Sequence, residues 1–166
     1  MKTKRTYLIF LSLLLVMLIS FSACKKTSRV KNQWAIALHG GAGNFTPEDY
    51  THDELAEYES ELTAALMIGT QILSQGGTSL DAVEQVVKYL EDCPLFNAGK
   101  GAVFTHDGRN ELDAAIMSGK DLSAGAVAGV GDIKNPIAAA RKVMEESPHV
   151  LMIGKGASTF ALQNGL

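Results

Sequence analysis

Polar and apolar positions first settle into a regular period at Thr46-Pro47-Glu48-Asp49, which offers an N-cap threonine, a proline at the first helical position and acids in the first turn. Leu55, Tyr58, Leu62, Ala65, Leu66, Ile72 and Leu73 then recur at helical spacing, while Glu54, Glu57, Glu59 and Glu61 form a solvated acidic face. Gly76-Gly77 ends this helix, and Thr78 or Ser79 caps a second one running to Asp92, with Leu80, Val83, Val86, Val87 and Leu90 on its buried side. Pro94 stops it. The period then changes. Ala102–Thr105, Glu111–Met117 and Ser123–Val130 read as a meander of three strands, with a turn signal at Asp107-Gly108. Asn135-Pro136 opens a helix with Ile137, Ala140 and Met144 on one face. His149–Ile153 reads as a short strand and Gly156–Asn164 as a last helix capped by Gly165. Upstream, Trp34–Leu38 is an apolar run without alternation, as in a strand buried on both faces. The order is strand, two helices, three strands, helix, strand, helix, which predicts an α/β or α+β layered domain.

The N-terminus has a different pattern. Lys2, Lys4 and Arg5 precede an apolar run from Tyr7 to Phe21, and Ser22-Ala23-Cys24 follows. Its length and small-residue end fit a secretory signal better than a membrane span. Phe21-Ser22-Ala23-Cys24 resembles a bacterial lipobox, with Phe21 where an aliphatic residue is usual. The expected organisation is a lipoprotein signal peptide over 1–23, a polar tether over 24–33 and one domain over 34–166. Acylation of Cys24 would leave the domain lipid-anchored, periplasmic or outer-membrane-associated, touching the membrane through the anchor alone. Plain secretion with a free cysteine is the alternative.

The chain has 166 residues and a net charge of −3, enough for one core and with nothing that points to nucleic acid. His39, His52, His106 and His149 share no metal-ligand spacing and sit beside no nucleophile motif. Cys93 follows a helix C-terminus, whose negative end disfavours a thiolate, so it reads as a half-buried structural thiol. Asp113, in a strand of small apolar residues, needs partners if buried; it either orients active-site groups or bonds a neighbouring loop. The most informative stretch is Cys93–Thr105. Its proline, asparagine and glycines at 99 and 101 make either an ordinary helix-to-strand loop or a cation site of inward-turned carbonyls. The glycines at 40, 41 and 43 after Trp34–Leu38 serve as a tight strand exit or a close approach to ligand; their spacing is not a dinucleotide fingerprint.

Seven pieces in register resemble the plant-type L-asparaginase / isoaspartyl peptidase family of N-terminal-nucleophile hydrolases. They are Ala37–Gly43, Cys93–Thr105, Glu111–Ala114, Ala124–Val130, Asn135-Pro136-Ile137 with Ala140-Arg141, Ser147–Val150 and Ile153–Ala157. The resemblance implies part of a four-layer αββα sandwich, incomplete without a β-subunit, in an (αβ)2 heterotetramer. It implies hydrolysis of β-aspartyl (isoaspartyl) dipeptides and L-asparagine by a threonine that self-cleavage frees, whose own amine acts as base, so that idle histidines are expected. That threonine, in a Gly-Thr-Val-Gly-like motif, is expected beyond this chain, which then corresponds to the N-terminal, α-subunit part and is inactive alone.

Within the chain, Asn97, Gly40 and Gly41 are the supporting candidates near the active site. The resemblance also implies a structural sodium ion on the main-chain carbonyls of Leu90, Glu91, Cys93, Phe96, Ala98 and Lys100, and no organic cofactor. A non-catalytic lipoprotein that keeps half the sandwich for binding is the alternative. A relative of glycosylasparaginase is a weaker one, because the Cys93–Thr105 and His39–Gly43 stretches look more like the isoaspartyl branch.

Overall fold

A computed structural model describes residues 34–41 and 46–166. The expected signal peptide, Cys24, the tether, and Ala42 and Gly43 of the glycine loop lie outside the described residues. The chain divides into Met1–Ala35 and Ile36–Leu166, and the elements below belong to the second unit. No helix among the described residues is long and apolar enough to cross a membrane.

The first helix, α1, runs His52–Ser74. Thr46-Pro47 does not start it: Pro47–Asp49 is a separate 3-10 turn, and Thr51 forms the capping box, its hydroxyl accepting from the Glu54 amide while Glu54 accepts from the Thr51 amide. A second capping box, Thr78 with Asp81, starts α2 over Ser79–Asp92. Ala82, Val86 and Leu90 are buried at four-residue spacing along α2. Gly69 of α1 lets the helices close, because a Cβ there would meet Ile36 and Val86. Ala65, Val86, Leu90, Cys93 and Phe96 form this core, with Ile36, Leu38, Tyr58, Leu62, Tyr89 and Leu95 packed around it. The acidic face of α1 is solvated at Glu54, Glu57 and Glu59, while Glu61 is half-buried and accepts from the Tyr89 hydroxyl at 2.6 Å.

The sheet differs from the expected meander. β1 (Leu112–Met117) pairs antiparallel with β2 (Ala124–Val130), and β2 pairs in parallel with β3 (Leu151–Ile153). Between β2 and β3 lies α3, Pro136–Glu146, and after β3 comes α4, Gly154–Gln163. Gly165, at φ +82, terminates α4 as expected. Neither Trp34–Leu38 nor Ala102–Thr105 is a strand among the described residues. In the first, Ile36 and Leu38 turn towards the helices and Ala35 and Ala37 are exposed, so it is buried on one side only. In the second, side chains replace a ladder: the Val103 amide donates to Asn97 Oδ1 at 3.0 Å, and Asn110 Nδ2 donates to the Ala102 carbonyl at 2.7 Å. The turn signal holds, since Gly108 sits at φ +71 and donates to the Thr105 carbonyl.

One sheet face is covered by α3 and α4. Ile116, Val127, Val130, Ile137, Ala139, Ala140 and Val143 are buried between these layers, with Ala157 and Ala161 of α4. The opposite face carries Ala115, Met117, Ala126, Leu151 and Ile153; Met117, Leu151 and Ile153 are 58%, 54% and 66% exposed. Asp113 is also on that face and is not buried; its Oδ1 accepts from the Gly129 amide at 2.8 Å, where the pairing of β1 with β2 is irregular. Asp113 thus bonds the backbone of the paired strand rather than a neighbouring loop.

Arg141 ties α3 to α2. Its Nη1 lies 2.7 Å from both Asp81 Oδ1 and Glu84 Oε2, and its Nε 2.9 Å from Glu145. Arg141→Ala leaves Glu84, whose side chain is only 14% exposed, with Lys88 at 3.8 Å as its remaining ion-pair partner, and is expected to cost about 1–3 kcal/mol. Arg141→Lys should recover part of this, since an ammonium keeps the charge without the fork. Urea midpoints of the three proteins check the order.

Candidate functional site

Cys93 ends α2 in extended geometry, and its amide donates to the Leu90 carbonyl at 3.2 Å. The thiol belongs to a residue 8% exposed, more buried than expected, and is free. The loop beyond it folds back against the helix end. Gly99 has φ +50, and the Glu91 carbonyl occupies the place a Cβ would need. At Gly101 the carbonyls of Phe96 and Pro94 do the same. Gly99 is therefore required by close approach of backbone to backbone as well as by its left-handed φ, and Gly101 by close approach alone. Phe96 anchors the loop at 5% exposure, edge-on to Tyr58 with centroids 5.9 Å apart, and the Tyr58 hydroxyl donates to the Leu95 carbonyl at 3.1 Å.

The two candidate stretches meet here. A Cβ on Gly40 would lie 3.3 Å from Phe96 Cε1 and 3.1 Å from Leu62 Cδ2. Gly41 takes φ +124, and its amide donates to His39 Nδ1 at 3.1 Å. Asn97 is exposed at the loop apex, its carbonyl oxygen spent on Val103. Of the supporting candidates, Gly40 is brought against the Cys93–Gly101 loop, and Asn97 braces the segment that leaves it.

Among the described residues no three His, Cys, Asp or Glu side chains converge as a metal site, so a cation at this loop would rest on carbonyls. The carbonyls of Leu90, Phe96 and Ala98 each accept one amide, from Cys93, Ala98 and Gly101. Each keeps a second lone pair. The Glu91 and Phe96 carbonyls are drawn against Gly99 and Gly101, on either side of Lys100. This hard, neutral oxygen set fits a monovalent cation.

Sequence reasoning missed two groups. Asn110 holds Ala102 and Val103 and lines a cleft of about 640 Å³ with Glu91, Asp92, Gly99, Lys100 and Asp132. Glu91 is a buried acid, 3% exposed. Its Oε1 accepts from the Ile137 amide at 3.0 Å, and its Oε2 is buried without a partner. Burial pushes this carboxyl up to about 7, against the pull of the Ile137 amide and the Asn135 side chain. Beside it, the Lys134 ammonium at 2.9 Å and the Asn135 amide hold Asp92 below the ordinary carboxylate range. No periodicity flags Glu91, because it adjoins the buried stripe of α2 and is chosen by what α3 brings to it.

The family profile described as Asparaginase matches residues 32–166. The chain is 49% identical over 135 residues to an isoaspartyl peptidase of Salmonella typhimurium, covering 81% of this chain and 43% of that protein. It is 50% identical over 131 residues to an isoaspartyl peptidase of Escherichia coli, covering 79% and 41%. It is 53% identical over 127 residues to a plant-type L-asparaginase of Pyrococcus furiosus, covering 76% and 40%. The chain thus spans about two fifths of the length of these relatives. With the match running from residue 32 through the glycine loop, the Cys93–Gly101 loop and the whole sheet, the chain belongs to the asparaginase family that includes the isoaspartyl peptidases and plant-type L-asparaginases.

Proposed function

We propose that this chain is the N-terminal, α-subunit part of a hydrolase that cleaves β-aspartyl dipeptides and L-asparagine through a threonine lying beyond it. The observation that carries this reading is identity of about half to proteins named isoaspartyl peptidase and plant-type L-asparaginase. The uncovered apolar face of the β1–β2–β3 sheet supports a second sheet packing there, as in a four-layer αββα sandwich with its own β-subunit. In this reading the threonine hydroxyl attacks the side-chain amide carbonyl of the substrate and its free amine takes the proton. The residues seen here do not perform that step. The glycine at 40 lies against Phe96, and Asn97 fixes the segment leading away from the Cys93–Gly101 loop.

A sodium ion on the carbonyls of Leu90, Glu91, Cys93, Phe96, Ala98 and Lys100 belongs to the same reading. Bound there, it would supply positive charge to these carbonyl dipoles and would stiffen the loop. The protein is exported and acylated at Cys24. Cys24→Ser should move it from the membrane fraction to the soluble periplasmic fraction, and unchanged fractionation would overturn the anchor.

The test of function follows the reading frame beyond Leu166 into a Gly-Thr-Val-Gly-like motif and expresses the complete product. Self-cleavage into two chains, seen by mass spectrometry, together with aspartate release from a β-aspartyl dipeptide, is expected. Replacing the motif threonine by alanine should leave one uncut, inactive chain. A complete product that neither cuts itself nor turns over such substrates would sink the proposal.

A further inference from the structure

Helix α2 ends in two successive acids, and both are engaged at the start of α3. Asp92 holds Lys134 and Asn135 from outside, at 2.9 and 3.1 Å. Glu91 lies inside and accepts from the Ile137 amide in the first turn of α3. Asn135, the N-cap residue of α3, makes no capping bond to its own helix. Its side chain has turned to Asp92, and the cap comes instead from Glu91, a residue of another helix. A carboxylate there also meets the positive end of the α3 dipole.

Glu91 has a second attachment. Its main-chain carbonyl lies against Gly99, at the place a side chain would fill. One residue thus touches the loop through its backbone and α3 through its side chain. Its Oε2 has no hydrogen-bond partner, so the carboxylate is placed by the Ile137 amide, by the Asn135 side chain beside it and by the position of its own backbone. The start of α3 matters to the sheet, because Ile137, Ala140 and Val143 are buried on β2.

We propose that Glu91 is a positioning residue that couples cation loading of the Cys93–Gly101 loop to the seating of α3. A cation that fixes the Glu91 carbonyl also fixes the carboxylate on the Ile137 amide, and α3 settles on the sheet as the loop fills. This rests on the sodium reading above. Coupling of this kind is reciprocal, so loss of the carboxylate must weaken the loop's hold on the ion by the same factor.

The experiment uses the complete protein at one fixed pH, with ionic strength held by choline chloride while sodium is varied. Hydrogen exchange is followed in peptides covering the loop, the start of α3, and α1 as a control. In the original protein, sodium should slow exchange in the loop and at the start of α3 together, with α1 unmoved. In Glu91→Met the loop should still respond, needing about fivefold more sodium or higher, and the start of α3 should no longer follow it. Glu91→Gln, which keeps an oxygen for the Ile137 amide, should restore the link.

If α3 in Glu91→Met follows sodium as in the original, the coupling is wrong and the sodium site stands. If the original loop shows no response to sodium, the sodium reading falls and takes the coupling with it. Should Glu91→Met not fold, the original protein decides: a loop that responds while the start of α3 stays indifferent overturns the proposal.

Discussion

Gly125→Ala should lower the melting temperature of the complete protein by about 5 °C. Gly125 lies in β2 under α3, and a Cβ there would enter the space of the Ala140 carbonyl and the Met144 backbone and lie 2.7 Å from Met144 Cβ. These are mainly backbone atoms of a helix, so no rotamer change relieves the clash. The helix must lift from the sheet, and Ile137, Ala140 and Val143 lose contact with Val127 and Ile116 as it does. Overpacking of this kind costs about 1–3 kcal/mol, and more where backbone must move. At roughly 2 °C per kcal/mol for a protein of which this chain spans about two fifths, the upper part of that range gives the stated shift. Calorimetry or circular dichroism on the complete protein reads it. Gly156→Ala, with nothing within 4 Å of its Cβ, is the matched control and should change the midpoint little. Equal effects at the two sites would show that α3 does not lie on the sheet as described.

Ala126→Glu should abolish self-cleavage and turnover of the complete protein while leaving this chain's own fold intact. Ala126 pairs with Ala115 and Leu151 on the sheet face that α3 and α4 do not cover. A glutamate projecting there meets no helix or strand among the described residues. Under a covering sheet it would be a buried charge without a partner, which costs several kcal/mol. The acid already on that face, Asp113, differs because its Oδ1 is engaged by the Gly129 amide. The measurements are gel mobility of the cleaved chains, release of aspartate, and the far-ultraviolet spectrum of the chain expressed alone. Wild-type cleavage and turnover in Ala126→Glu would mean that this face stays open to solvent and that the sandwich proposal is wrong.

Much of the secondary structure was legible from local pattern. Both long helices, the Thr78 cap, the turn at Gly108, strands β1 and β2 and the cap at Gly165 follow from side-chain periodicity and from glycine where the backbone turns left-handed. The start of α1 moved from Thr46 to Thr51 because two segments offered a threonine followed three residues later by an acid. The second of them closes the capping box. The candidate loop was also legible, since proline and paired glycines have few other uses at a helix end.

The chain's sequence by itself determined which segments are helical, where they stop and which family the protein resembles, because those depend on residues close together along the backbone. Tertiary structure decided the rest. Trp34–Leu38 and Ala102–Thr105 carry extended patterns but no strand assignment, because a strand exists only where another backbone pairs with it, and Asn97 and Asn110 take the second segment's bonds instead. Glu91 looks like one more acid on α2 until α3 folds across it and makes it a buried cap. Asn135 looks like a helix cap until Asp92 draws its side chain away. In each case a hydrogen-bonding group chose among partners that side-chain periodicity does not rank, and only packing sets which of them comes within 3 Å or so.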